Sequence, residues 1–355
     1  MMKESVHLKG LNGLRAIAAL GVVIAHTAVI KLEFGDLIPT GLTSYAVTIF
    51  FTLSGFLITY LLFLEKEKKE INVKKFYLRR ILRIWPLYFA YLIVAIAITY
   101  FQHPEKSLGS LPYYIFFAAN IPSYLLSSLP YLGHYWSIGV EEQFYLFWPW
   151  IIKRSKYILR TIIIFTVAFF ILKLIARFVF YEQGNPLPLR ILYSSRFECM
   201  SIGGIGALLC LRKHSLFLKL TANKFTEIVC WLCIAAIAVN RFYITDLVNH
   251  DVVAIVTVCL IVNLSFNNNA IISLENRVFD FLGRISYGIY VIHPLMIYGF
   301  HELLKPLSWQ PLWKDLLFFI SVISSTILTA WLSYEFFEKR FLRMKDRFSV
   351  VKTVA

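Results

Sequence analysis

Long apolar runs separated by short basic segments organise this chain. Ten stretches, 14–30, 45–64, 84–101, 134–152, 161–180, 198–212, 225–243, 252–266, 285–304 and 316–337, are apolar over most of their length. Each is long enough, or nearly so, for the ~20 residues that an α-helix needs to cross a bilayer. The pattern predicts an all-α polytopic membrane protein with about ten transmembrane helices, since a spanning segment must satisfy its own backbone polar groups. A further apolar stretch, 111–129, is broken by prolines at Pro112, Pro122 and Pro130 and reads as an interfacial or re-entrant piece. No segment between the runs is long enough to fold alone, so residues 1–355 read as one transmembrane unit without an appended soluble domain. The start has the outline of a secretory signal, with Lys3, Lys9 and Arg15 before an apolar run. No small-x-small site closes that run and His26 interrupts it, so it reads as a retained first helix.

Composition agrees with the pattern. Hydrophobic residues make up 58% of the chain and charged residues 16%, against roughly 45–50% and about 25% in a soluble globular domain. The net charge of +15 raises the question of a nucleic-acid partner, and its distribution answers it. Of the 36 Lys and Arg residues, 26 fall in segments on one side of the ten-span topology and 7 on the other, leaving Arg15, Lys173 and Arg177 inside spans. This is the positive-inside pattern: it places both termini in the cytoplasm and excludes nucleic-acid binding. The five cysteines (Cys199, Cys210, Cys230, Cys233 and Cys259) lie in apolar runs and do not form a disulfide framework. They read as small packing residues.

Ionisable groups at membrane depth are costly, so each is a candidate for function. Arg15 and His26 are eleven residues apart, within about 20° of whole turns, so they share a helix face with about 16 Å between them. A snorkelling arginine with a histidine bonded to a neighbouring helix is the alternative at this point. Ser54 and Gly55, within FFTLSGFLIT, suit close helix approach. Arg79, Arg80 and Arg83 lie at a helix start, where guanidiniums suit a phosphate-bearing ligand or, alternatively, only mark the inner side. Glu141 and Glu142 are adjacent carboxylates in an apolar span, about 100° apart on a helix, so at least one faces a polar cavity. Preceding them are His134 and Trp136, and further along the chain come Arg196 with Glu198, His293 before Pro294, and Glu335 with Glu338. Arg196 and Glu198 could pair with each other. No P-loop, dinucleotide fingerprint or HExxH occurs, and no metal site is expected.

In this order, these features resemble the membrane acyltransferase-3 family, enzymes that move acyl groups onto hydroxyls of cell-surface carbohydrates and related acceptors. Leu11-Asn12-Gly13-Leu14-Arg15 through His26 is similar to the family's opening motif, a basic residue followed, after ten others, by a catalytic His. FFTLSGFLIT (50–59), Arg80-Ile81-Leu82-Arg83, WSIGVEEQFYLFWP (136–149), Arg196-Phe197-Glu198, ISYGIYVIHP (285–294) and SYEFFEKRF (333–341) resemble its remaining signatures. Two positions depart from the pattern. Asn12 stands where Asp is usual, and Arg340 where Pro follows the last Glu. The absence of a further module points away from a peptidoglycan acceptor.

The resemblance implies a bacterial plasma- or inner-membrane O-acyltransferase with an acyl-CoA, most simply acetyl-CoA, as co-substrate, a carbohydrate acceptor, and no permanently bound cofactor. His26, with an unperturbed pKa near 6.5, is the natural base, though an acyl-histidine is an equal alternative. Glu142 or Glu338, with Glu141 as a further candidate, would hold its tautomer. Arg15, Arg79, Arg80 and Arg83 would take the CoA phosphates. His134, Trp136, Arg196, Glu198 and His293 would line the acceptor site. The rival reading is a transporter or flippase of lipid-linked sugars using the same groups for proton coupling. Acceptor, acyl group and oligomeric state stay open.

Overall fold

The computed structural model describes residues 5–30, 40–307, 309–349 and 352–353; Lys3 and Lys31 of the charge distribution lie outside them. The chain is helical nearly throughout. Its helices are α1 (Leu11–Ile30), α2 (Thr40–Lys68), α3 (Val73–Gln102), α4 (Leu111–Ile115), α5 (Asn120–Tyr124), α6 (Tyr135–Arg154) and α7 (Ile158–Ile175). After α7 a π-helical stretch, Ala176–Tyr181, carries the same helix onward. Then come α8 (Leu187–Ser195), α9 (Phe197–Leu211), α10 (Ser215–Thr221), α11 (Lys224–Ala238), α12 (Asn249–Phe266), α13 (Arg277–Arg284), α14 (Ser286–Leu304), α15 (Pro311–Ser333) and α16 (Lys339–Lys345).

Every predicted run holds a helix, though α11 ends at Ala238, short of the run's end at 243, and not every helix qualifies as a crossing. Among the described residues, six helices are long and apolar enough to cross a membrane, or seven if the α10–α11 pair, bent by 56°, is one span. Length and apolarity therefore support six or seven crossings rather than ten. The others fall short for visible reasons. Helix α9 has 15 residues, and α6 carries Glu141, Glu142, Lys153 and Arg154. The chain ends are held together by two short parallel strands, β1 (Ser5–Val6) and β2 (Lys352–Thr353). Ends that emerge on one side of a molecule require an even number of crossings, which six and ten satisfy and seven does not. Large apolar side chains stand outward on α3 and α11, as at Ile93 (67% exposed) and Leu232 (64%), where lipid tails would cover them. The protein is thus a multi-pass membrane protein.

Local sequence explains the boundaries. Helix α2 runs past its apolar part because Glu65 turns inward to meet Arg79, 2.6 Å away, and α3 starts where the Asn72 side chain accepts from the Lys75 N–H. The Lys66 ammonium donates to the carbonyls of Ile152, Lys153 and Ser155, satisfying the last carbonyls of α6. This fixes the C-terminal ends of α2 and α6 together. The tightest helix pair is α2 with α9: Gly55 lies on the Met200 backbone and Gly203 on the Thr52 carbonyl, where any Cβ would overlap main-chain atoms. The stretch 111–129 holds the short helices α4 and α5 with positive-φ turns at Phe117 and Leu126. The unpredicted α13 docks on α1, with Gly283 against Asn12. Asn12 Nδ2 donates to Asp280 Oδ1 at 3.2 Å. An aspartate at position 12 would set two carboxylates against each other.

Candidate active site

Three of the four predicted arginines share one cavity. A space of about 790 Å³ is lined by Arg15 at the start of α1 and by Arg80 and Arg83 in α3, with Ser54, Glu141 and Tyr145 in its wall. The spacing i, i+3 puts Arg80 and Arg83 on one face of α3. Arg80 lies over the rings of Phe76 and Tyr145, and its Nε is buried with no hydrogen-bond partner. Arg15 stands in the field of Arg83 and Arg80, opposed by Glu141, which accepts a hydrogen bond from the Ser54 hydroxyl. Three guanidiniums and, in the lining, one carboxylate, with Glu338 also acting on Arg83, leave surplus positive charge, the electrostatics of an anion site. Arg79 does not take part. It pairs with Glu65 and donates to the Phe348 carbonyl at 3.1 Å, so it joins helix ends instead of facing a ligand. Lys345 of α16, absent from the sequence prediction, adds a cation that interacts with Arg83, Arg80 and Arg15; nothing in its local sequence separates it from other inner-side lysines.

Three histidines meet beyond this cavity. His26 Nδ1 lies 2.8 Å from His293 Nε2, with the two rings nearly parallel and 5.0 Å apart. His293 Nδ1 lies 2.7 Å from the Tyr290 carbonyl oxygen, a pure acceptor, so that nitrogen carries the proton. In a neutral ring His293 Nε2 is then an acceptor, so His26 must donate from Nδ1. The free lone pair of His26 is therefore on Nε2. His26 is half-buried, whereas His293 is fully buried and His134 almost so. His134 follows the same logic: Nε2 donates to the Val291 carbonyl at 3.1 Å, and Nδ1 is buried without a partner.

The carboxylates expected to support His26 sit elsewhere. Glu142 Oε2 accepts from Trp85 Nε1 at 3.1 Å. Glu338 Oε1 accepts from Ser333 at 3.1 Å and lies against Gly288. Glu141 belongs to the arginine cavity. Among the described residues the hydrogen-bond partner of His26 is His293, a residue expected in the acceptor wall. A layer separates the cavity from the histidines: the Tyr290 hydroxyl lies 2.5 Å from Ser137 Oγ and donates to the His134 carbonyl.

Arg196 and Glu198 do not pair. Arg196 has left-handed φ (+43°) between α8 and α9. Its guanidinium donates to the Ser44 carbonyl and hydroxyl and to Thr48, and stacks on Trp136 at 5.4 Å. Glu198 accepts from Lys173 at 2.9 Å, and Lys173 also reaches Asp251 at 2.8 Å. Glu198, Cys199 and Asp251 approach closely enough to hold a metal ion, but the Lys173 ammonium already sits between the two carboxylates and offsets one of their two charges. Lys173 was visible in the sequence as an in-span charge, and an acidic partner on another helix was the signal to seek.

The chain matches the acyltransferase domain of the acyltransferase-3 family over residues 8–335. It is 25% identical to the peptidoglycan O-acetyltransferase OatA of Listeria monocytogenes, over 94% of this chain and 55% of that protein. It is 28% identical to a Staphylococcus aureus protein named “Putative O-acetyltransferase”, over 96% of this chain and 58% of that one. The chain thus spans a little over half the length of these relatives. No solved structure matches it.

Proposed function

This chain belongs to the acyltransferase-3 family, and from that premise we propose that it is a membrane O-acyltransferase that moves an acetyl group from cytoplasmic acetyl-CoA to a hydroxyl of a cell-surface or lipid-linked carbohydrate. The observation that carries the reading is the pairing, on one face of α1, of an arginine in an anion cavity with a histidine whose Nε2 is free. CoA has phosphates at one end and the thioester at the other. Arg15, Arg80 and Arg83 take the phosphates, and the pantetheine arm runs toward His26, about 16 Å along the helix. His26 Nε2 removes the hydroxyl proton as the acceptor oxygen attacks the acetyl carbon. The C–S bond then breaks, CoA leaves as thiolate, and the imidazolium returns the proton to sulfur. Throughout, Nδ1–H stays on His293, which is how a base is held in one tautomer.

The asymmetry of the basic segments supports a ten-span arrangement in a bacterial plasma membrane with both chain ends and the arginine cavity on the cytoplasmic side; helices such as α6 and α9, which do not qualify alone, would then be shielded from lipid by their neighbours. The test is acetyl transfer by purified protein in nanodiscs, followed as CoA thiol release and as acetyl mass on the glycan. His26→Ala should abolish turnover with acetyl-CoA binding nearly intact, and Arg15→Ala should weaken that binding. Sugar translocation into vesicles without any acyl-CoA would establish the transporter instead.

A further inference from the structure

A second cavity, of about 1060 Å³, is lined by Tyr124, Tyr181, Tyr193, Arg177, Arg190 and Asp246 among others. Its position follows from α7. The N-terminal end of α7 follows α6, whose C-terminus is fastened by Lys66 to the end of α2 just ahead of the arginine-bearing helix. From Ile158 to Tyr181 that helix runs 24 residues, about 36 Å at the α-helical rise. Arg177 and Tyr181 therefore lie at the opposite end of the bundle from Arg80 and Arg83.

We propose that this cavity is a binding subsite for the acceptor oligosaccharide, holding sugar units next to the one whose hydroxyl reacts; the proposal rests on the transferase reading above. The lining has the chemistry of sugar recognition. Tyrosine rings offer flat apolar faces, and arginines offer donors to hydroxyl oxygens. Asp246 offers an acceptor to hydroxyl hydrogens, and among the described residues neither it nor Arg190 has an ion-pair partner. Arg177 stacks on Tyr181 at 4.4 Å, which presents its guanidinium edge in a fixed plane. The Tyr193 ring forms part of the wall, while its hydroxyl lies buried beneath it without a hydrogen-bond partner. A simple anion would be opposed by Asp246, and a lipid tail would desolvate charges of both signs.

The walls are tied to the reaction centre. Beneath Tyr193 lie Lys173, at 5.5 Å from its ring, and His250. His250 Nδ1 is 2.9 Å from Thr48 Oγ1, which also accepts from Arg196, the residue stacked on Trp136. On the other wall Tyr124 Oη accepts from Asn120, which accepts in turn from Gln143 of α6. A glycan held here is thus referenced through rigid contacts to the helix that carries His134.

The experiment uses the full chain in nanodiscs of zwitterionic lipid and a panel of N-acetylglucosamine oligomers of increasing length with defined bacterial surface oligosaccharides. Calorimetry on wild type identifies the best binder. Tyr181→Ala, Arg190→Ala and Asp246→Asn should each weaken its binding about tenfold, the loss of one good contact. They should also raise the acceptor KM while leaving the acetyl-CoA KM unchanged. Arg190 and Asp246 are exposed, so these two variants fold even if Tyr181→Ala does not. Unaltered glycan binding in both overturns the subsite, and so does a wild type that binds no member of the panel. Loss of glycan binding that appears only when anionic lipid is added makes the occupant a lipid headgroup and also overturns it. Should wild type bind glycan through these residues yet transfer no acetyl group, the subsite stands and the transferase reading fails.

Discussion

Replacing His293 by leucine removes the acceptor of the His26 Nδ1–H and leaves the rest of the site chemically intact. In the native protein that hydrogen bond is 2.8 Å long and its acceptor ring is fully buried. In the proposed reaction His26 takes up the acceptor proton, and its Nδ1–H becomes the donor of a charged group. Such bonds are worth about 1.5–3 kcal/mol, and each 1.36 kcal/mol lost from transition-state stabilisation is about a tenfold fall in rate. His293→Leu should therefore lower kcat by roughly 10–150-fold without changing the KM for acetyl-CoA, because no arginine of the cavity moves. Substitution by glutamine, whose side-chain oxygen can accept in place of Nε2, should recover part of the loss. The assay is CoA thiol release at saturating donor, with melting temperature recorded for each variant. A His293→Leu protein that melts normally and turns over within twofold of wild type would refute the tautomer argument. Equal losses in the leucine and glutamine variants would reduce His293 to a packing residue.

Arg80→Lys and Arg83→Lys should each raise the acetyl-CoA KM several-fold, since lysine keeps the charge but loses the two-pronged donor geometry; a KM at the wild-type value in both would make them topology signals only. Arg79→Ala should leave that KM alone and instead destabilise the fold by about 3–5 kcal/mol, because it strands Glu65 in a buried position; melting and KM measured on the same preparation separate the two effects. Gly55→Ala should cost folded yield, since its Cβ would overlap the Met200 backbone; normal expression and activity would show that α2 and α9 are not held at this distance. Reporter fusions at Lys352 and within 102–110 should report opposite sides of the membrane, and the same side for both would end the ten-span arrangement.

What the sequence revealed depended on how local the information was. Apolar runs located the long helices, and one period calculation put Arg15 and His26 on a common face. The difference between Arg79 and Arg80 was not legible, because it is decided by Glu65, which a turn between α2 and α3 brings beneath Arg79 but not Arg80. The role of His293 was hidden for the same reason at longer range. Its partner is 267 positions away, and a histidine before a proline in an apolar helix has several uses. Glu142 drew attention as a buried carboxylate, yet its acceptor capacity is partly spent on the Trp85 indole. Length and apolarity alone qualify six or seven of the ten runs as crossings, because polar interior helices such as α6 depend on their neighbours, and not on their own composition, to lie in a membrane.

The hydrogen-bonded layer between the arginine cavity and the histidines bears on the choice between enzyme and transporter. Tyr290 joins Ser137 and the His134 carbonyl, and His293 hangs from the Tyr290 carbonyl, so the start of α6 and the middle of α14 are joined by hydrogen bonds at the wall of the arginine cavity. A carrier would have to part this layer on every cycle to pass a sugar, losing several buried hydrogen bonds each worth about 1 kcal/mol net. Helices α6 and α14, which carry this layer, continue unbroken through Pro149 and Pro294, and the bent α10–α11 pair carries none of its residues. An acyltransferase asks less of the same architecture. In the proposed reaction no sugar has to pass this layer: the pantetheine arm reaches toward His26 from one side, the acceptor comes from the other, and half-buried His26 bonds His293 through Nδ1, leaving Nε2 for the proton.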